Sequence, residues 1–568
     1  TTEIYTLSLH DALPIWDNSF SHPQLGWFKG ERVFYAASGD GSVVCVNVRT
    51  GEPIWRVPLF KAGINATVVV HNEDKVIAIF GTPYEPGEMV AIRLPAELPA
   101  GSPRPVVIDR PEVQLWANPM TSSTSSPILV GDRVYLVLEK GDLCSVDANT
   151  GEVHWRLQLG IEQRNSCPLY ADGKLYVPML DHPAGKGQGS AENAGSKGAF
   201  YIIRPTDQAA EILTHIELDG RCFGSPSAYN GKVYVQTTSK LYCFGRPGNN
   251  PGLAPEPAPV KYPAPGPATR LQIVPYEVTL HAGESASFRA RKLDARGFVV
   301  EEVSDVRSLK WEPYIPPTAL VKARMDAAFD GEGRLVVGPG AQPSAGRYEA
   351  TLGGLKGYIR GRVIQDPPIE EDFESFVLSH TTTNSVEPPT SYAYPPLPWI
   401  GARFRFEVRE RDGSKVLAKT IDNKFFQRGS VFIGDPAMKS YTVEADVMSE
   451  GTRRKMSEVG LVNQRYIIVL KGNAQEIEVN SNLERLKVAV PFRWSPNQWY
   501  RLKTRVDVAP DGTGMVRGKA WKRGDPEPEA WTIEVPHQTA HRSGSPGLFA
   551  FSPQDQRVFI DNVRVTPN

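Results

Sequence analysis

The strongest constraint in this chain is a unit of about fifty residues, written out most fully twice. Residues 39–55 read GDGSVVCVNVRTGEPIW and residues 141–155 read GDLCSVDANTGEVHW. Each copy holds an apolar strand, a polar turn built on Asn47 or Asp147 with Thr-Gly, and a second strand carrying Trp55 or Trp155. The glycine supplies the positive φ that such a turn needs. Weaker copies centre on Ala91, Tyr201 and Cys243, so the centres at 45, 91, 144, 201 and 243 lie 46, 53, 57 and 42 residues apart. A further strand precedes each, at 32–35, 75–78, 133–136, 174–177 and 232–235, and four are introduced by His22-Pro23, Ser126-Pro127, Cys167-Pro168 and Ser225-Pro226. One four-stranded antiparallel sheet cannot bury both of its faces. The copies must therefore stack radially as propeller blades, with the tryptophan a flat ring between neighbouring sheets.

Five such units account for less than half of 568 residues, a length that calls for three or four domains. With 50 glycines and 49 prolines, short strands and tight turns are expected throughout, and the fold class reads as all-β. A net charge of -1 excludes a generally basic nucleic-acid binder and an acidic tail protein. No apolar run reaches the length of a membrane-spanning helix.

The repeat resembles the pyrroloquinoline-quinone-like propeller repeat, whose blades carry D-x-x-T-G-x-x-x-W. The resemblance covers residues 16–245 and departs from the pattern at Asn47, where the family has Asp. Residues 1–15, TTEIYTLSLHDALPI, match the conceptual translation of a sequencing-adapter oligonucleotide and are expected not to be native. Because the family usually has seven or eight blades, two or three N-terminal blades are expected to be missing. Quinoprotein dehydrogenases of this family hold quinone and Ca²⁺ beside an Asp base and an adjacent Cys-Cys pair. Here Cys45, Cys144, Cys167, Cys222 and Cys243 are all separate, so no cofactor is expected. Cys45, Cys144 and Cys243 read as small buried apolar residues. Spacing leaves a Cys167–Cys222 disulfide open.

Residues 246–268 form a Pro-rich spacer. Residues 269–366 resemble bacterial immunoglobulin-like modules, through I-x-P-x-x-V-x-L-x-x-G-E and A-x-L-G-G-L-x-G, with a short helix expected at 318–330. Residues 367–568 resemble a concanavalin-like or laminin-G-like jelly roll, opening on EDFE and closing on FIDNV, two ends expected to pair. Some members of that fold are glycosidases. Glu444 and Asp446 share a strand face as a retaining pair would, but their spacing to Glu450 departs from the family's E-x-D-x-E signature. Trp399, Trp494, Trp499 and Trp531 are candidates for stacking on sugar rings.

Nucleotide, hydrolase and zinc signatures are absent, and the Gly-rich 182–198 segment reads as a loop. The combination resembles large envelope proteins of Planctomycetes-type bacteria with barrel-assembly-type propellers. It implies a non-catalytic, exported binding or scaffold protein, periplasmic, outer-membrane-associated or extracellular, with envelope proteins or glycans as partners and no nucleic acid. A quinoprotein oxidoreductase or a glycoside-active enzyme is the alternative. Propeller ligands collect where inner strands begin. Asn118, Thr121, Ser122, Arg164, Asn165, Ser166, Arg221 and Ser225 are therefore the candidate binding residues, and the two arginines suit a polar or anionic ligand.

Overall fold

The computed structural model describes residues 21–568 apart from 83–84, 100, 161–162, 164, 181–196, 253–254, 256–257, 259–261, 383–386, 422–426, 453, 482–485 and 553–555. The adapter-like segment, most of the Gly-rich 182–198 loop and much of the Pro-rich spacer lie outside the described residues. The chain divides into two compact units, Thr1–Ala264 and Pro265–Asn568.

The first unit is a succession of five antiparallel sheets. Blade one orders Gln24–Phe28, Glu31–Ala37, Ser42–Asn47 and Pro53–Pro58 from inside to outside, and Val106–Val107 adds to its outer edge in parallel. Blade two is Val69–His71, Lys75–Ile79, Met89–Arg93 and Gln114–Asn118; blade three is Ile128–Val130, Arg133–Val137, Asp142–Asp147 and Val153–Gln158. Blade four is Leu169–Ala171, Lys174–Met179, Lys197–Pro205 and Ala210–Asp219. Blade five has three strands, Ser227–Tyr229, Lys232–Gln236 and Leu241–Phe244. The first strands of successive blades adjoin one another and so line the axis. Four apolar clusters are each shared by two consecutive blades: Trp55 with Val76 and Val90, Trp116 with Val134 and Val146, Trp155 with Val177 and Tyr201, Phe200 with Val235. That sharing is the radial stacking the repeat demanded.

The turn works the same way in both full copies. Asp147 Oδ1 accepts the N–H groups of Asn149 and Thr150, at 2.8 and 3.0 Å, and Asn47 Oδ1 accepts those of Arg49 and Thr50, at 2.9 and 3.0 Å. The second side-chain atom explains why both residue types serve. Asp147 accepts from Arg133, whereas the Asn47 amide donates to Glu31, so each residue meets a partner of the matching polarity. Gly51 and Gly151 have φ of 68° and 77°, and a side chain on Gly151 would meet the Trp116 ring.

Burial holds the Cys45 thiol far above its ordinary range and pushes that of Cys144 up to about 12, as expected of apolar core positions. Cys243 corrects the reading made for all three: it lies exposed on the outer strand of blade five. Cys167 and Cys222 are not joined in a disulfide.

In the second unit, residues 265–366 build three small sheets around Leu271, Phe288, Leu335, Tyr348 and Ile359. Glu277–Leu280 runs parallel to Leu355–Val363 beside two antiparallel neighbours. The helix expected at 318–330 does not form. Met325 is drawn into the core on chain outside any helix or strand, Tyr348 Oη donates to the Met325 and Ala327 carbonyls, and the backbone of Met325 lies against Gly346, where a side chain would collide. Tertiary packing overrides helix propensity here.

From Ile369 onward, an eight-stranded and a six-stranded antiparallel sheet face each other over one core, including Val443, Leu502 and Ile560 from the larger and Leu461, Ile468 and Ile477 from the smaller. Ile369–Glu371 pairs with the closing strand Val558–Pro567, Glu371 opposite Val563, so the two ends of this segment meet.

Candidate functional site

The candidate axial residues lie on the crossings that carry the chain from one blade's outer strand to the next blade's inner strand. Asn118 closes the outer strand of blade two, and its amide donates to Gly151 O of blade three at 2.9 Å, at the outer end of its crossing. Thr121 Oγ1 donates to Phe80 O at 3.0 Å, and the buried Ser122 hydroxyl donates to Ser125 O at 2.9 Å. Ser166 Oγ donates to Gly224 O at 3.2 Å, which ties blade four to the entry of blade five. Asn165 is exposed, and its N–H donates to Gln163 Oε1. The Arg221 guanidinium stacks 5.2 Å from the Phe223 ring centroid. Arg164 lies outside the described residues.

The residues before the inner strands form a ladder around the axis. His22 N–H donates to Thr67 Oγ1 at 3.1 Å, Thr67 N–H to Ser126 Oγ at 2.8 Å, Ser126 N–H to Cys167 Sγ at 3.2 Å, and Cys167 N–H to Ser225 Oγ at 2.9 Å. Each blade's backbone thus donates to the side chain at the corresponding position of the next blade. The X-Pro steps mark four of the five members. Thr67, followed by Val68, carries no such mark, so only the structure brings it in. Ser126→Ala leaves the Thr67 N–H without its acceptor and should cost about 1 kcal/mol. The expected readout is faster exchange at the Thr67 amide, with normal exchange in Ser126→Thr; unchanged exchange in Ser126→Ala contradicts the ladder.

The second candidate pair, Glu444 and Asp446, sits in a network of ions. Asp446 is fully buried; it accepts from Arg501 Nε and Nη2 at 2.5 and 3.1 Å and from the Asn562 amide at 2.9 Å. Glu444 lies 3.5 Å from Arg501 and 3.4 Å from Lys503. The residue that sequence reasoning missed is Asp561, opposite Asp446 on the closing strand. Burial, aided by the Asp446 charge, raises its carboxyl to about 6. A carboxyl raised in the folded state contributes stability that is fully present below the unfolded value near 4 and is lost as pH rises through 6. Asp561→Asn should therefore stabilise the protein by on the order of 2 kcal/mol at pH 7 and by nothing at pH 4. Denaturant midpoints at the two pH values check this, and an equal gain at both contradicts it.

Of the four tryptophans considered for sugar stacking, Trp399 and Trp494 are buried in the sandwich core. Trp499 and Trp531 each carry a cation over the ring, Arg523 at 5.6 Å and Lys519 at 4.8 Å from the centroid.

A family model described as outer membrane protein assembly factor BamB matches residues 106–199, which include all of blade three. A curated relative, outer membrane protein assembly factor BamB of Burkholderia pseudomallei, is 28% identical over 112 residues, 20% of this chain and 24% of that protein. The chain thus spans about a quarter of the curated relative it matches. Among solved structures, BamB from Moraxella catarrhalis overlaps 40% of this chain and 57% of its own at 15% identity and a TM-score of 0.28. An endo-β-1,4-glucuronan lyase from Trichoderma reesei overlaps 35% of this chain and 95% of its own at 12% identity and a TM-score of 0.23.

Proposed function

We propose that this chain, whose first unit is a propeller of pyrroloquinoline-quinone-like repeats, is a non-catalytic binding and scaffold protein of the cell envelope, periplasmic, outer-membrane-associated or extracellular. The observation that carries the reading is the match to an outer membrane protein assembly factor over the best-formed blade. The propeller takes a protein partner at its axial end, where Thr121, Asn165, Arg221 and Ser225 meet solvent. The Arg221 guanidinium, with Arg164 next to Asn165 in sequence, favours an anionic or polar segment of the partner. In the second unit, residues 269–366 act as an immunoglobulin-like spacer and residues 367–568 as a lectin-like sandwich for glycan. The engagement of Asp446 with Arg501 and Asn562 supports binding over catalysis, because a carboxylate so held is not presented to a substrate.

The test is co-purification of outer-membrane proteins with the chain, produced behind an export signal in an envelope-bearing bacterium and fixed briefly with formaldehyde. Arg164→Ala with Arg221→Ala should reduce the yield by about tenfold, as expected when two charged contacts are lost. Unchanged yield contradicts the axial site, and no co-purification by the unaltered chain contradicts the envelope role.

A further inference from the structure

A cavity of about 510 Å³ opens in the second unit between the 321–344 segment and the start of the sandwich. One half is largely apolar and aromatic, with Arg324 and Gln365 also in its wall. Phe376, Tyr394 and Trp399 line it together with prolines 395, 396 and 398, and His380 stands against Tyr394 at 4.9 Å. At Glu370, Glu371 and Ser375 it meets a second, polar cavity of about 460 Å³, walled by Asp372, Arg501, Asn562 and Arg564. Together they make one groove with an aromatic half and a polar half.

The charges decide what fits the polar half. Arg564 is paired with Glu370 at 3.0 Å and Arg501 with Asp446 at 2.5 Å, so neither offers an unbalanced positive charge. Glu371 accepts one hydrogen bond from Phe373 N–H, at 2.8 Å, and among the described residues none reaches its other oxygen. Asp372 is exposed beside it. The polar half therefore accepts hydrogen bonds rather than attracting anions. A hydroxyl-rich molecule with apolar C–H faces meets both halves: its faces stack on rings, and its hydroxyls donate to carboxylates. A uronate chain would bring further carboxylates against Glu371 and Asp372. An extended proline-rich peptide presents carbonyl acceptors, which the acidic half cannot serve.

Phe404 is 62% exposed with φ of 67°, a left-handed conformation costly for an aromatic residue. Arg403 lies 4.9 Å from both its ring and that of Tyr394. The chain thus holds an exposed aromatic in a strained backbone beside the aromatic half of the groove.

We propose that this groove binds a neutral pyranose oligosaccharide, with Tyr394 stacking on the sugar faces and Glu371 and Asp372 accepting its hydroxyls. The proposal deepens the glycan-binding part of the proposed function and is independent of the propeller's partner. The experiment is isothermal titration of the full chain with neutral hexasaccharides of glucose, mannose, galactose and xylose, a uronate hexamer and a proline-rich peptide. At least one neutral hexasaccharide should bind with Kd between about 10 μM and 1 mM, the range of a few hydrogen bonds with one or two stacked rings. Glu371→Gln and Tyr394→Ala should each weaken it by about tenfold or more. Because Glu371→Gln keeps the side-chain shape, it remains decisive if Tyr394→Ala unfolds. Absence of neutral-sugar binding at about 1 mM, unaltered binding by Glu371→Gln, or tighter binding of the uronate or the peptide overturns the proposal. The Arg164→Ala and Arg221→Ala variant should titrate as the unaltered chain does, so failure of the groove and failure of the axial site are separate results.

Discussion

Trp55→Ala is expected to remove about 4 kcal/mol from the stability of the first two blades, the upper range for a large aromatic truncated in a core. Trp55 is fully buried in the cluster shared by blades one and two, with Tyr35 at 5.8 Å and Phe28 at 6.2 Å between ring centroids. Its loss opens a void on both sides of the blade interface at once, and a sheet edge held by cross-strand hydrogen bonds cannot close it. Trp155→Ala should cost less in burial, because that ring is 8% exposed, but it also removes the bond from Nε1 to Thr206 O of blade four, at 3.0 Å. Chains of several domains do not unfold in one step, so the effect is best read as amide exchange across Ser42–Asn47 and Lys75–Ile79. Exchange should quicken by about three powers of ten in both blades. A change confined to blade one would mean that the sheets do not share their core.

The second large effect is expected from Arg557→Ala, which should destabilise the sandwich by about 3–5 kcal/mol. Arg557 is 5% exposed; it donates to Glu407 at 3.1 Å, to Glu387 at 2.8 Å and to the Lys419 carbonyl at 2.8 Å. Arg409 binds the same two carboxylates, at 2.5 Å each to Glu407 and Glu387. Two guanidinium groups thus balance two carboxylates out of water. Removing one leaves an excess buried negative charge, which costs far more than the pair contributes. Desolvation already holds the Glu407 carboxyl above its ordinary range. Without Arg557 it should rise further, so the variant's deficit shrinks as pH falls and protonation removes the excess charge. Denaturant titrations at pH 7 and pH 4 measure both features. A deficit that grew on acidification would contradict the assignment of a charge-balanced cluster.

The blade repeat was legible wherever the Thr-Gly turn and its tryptophan keep their spacing, as at 47–55 and 147–155. Blade two hid its ring because the 94–113 segment separates its third strand from Trp116, yet Trp116 stands opposite Ala91 just as Trp55 stands opposite Cys45. In blade four the same place is held by His215, stacked on Tyr201 at 4.4 Å, a substitution that no tryptophan pattern finds. The X-Pro steps were visible as marks, but their meaning, side chains accepting from the neighbouring blade, depends on which positions meet across 41 to 59 residues of chain. Asp446 stood out for its motif and Asp561 did not, since their pairing is a matter of strand order rather than of sequence distance. The groove was invisible for the same reason: its aromatic half comes from 376–399, and its polar half also draws on 501 and 562–564.

The axial site proposed for a protein partner is tested most directly by crosslinking. A photo-crosslinking residue at Asn165, on the axial crossing, can be compared with one at Glu152, on the exposed turn at the outer side of blade three. In the exported chain the axial probe should give a discrete adduct with an envelope protein, lost when Arg164 and Arg221 are both alanine, and the outer probe should give none. Adducts from the outer probe alone would contradict the account.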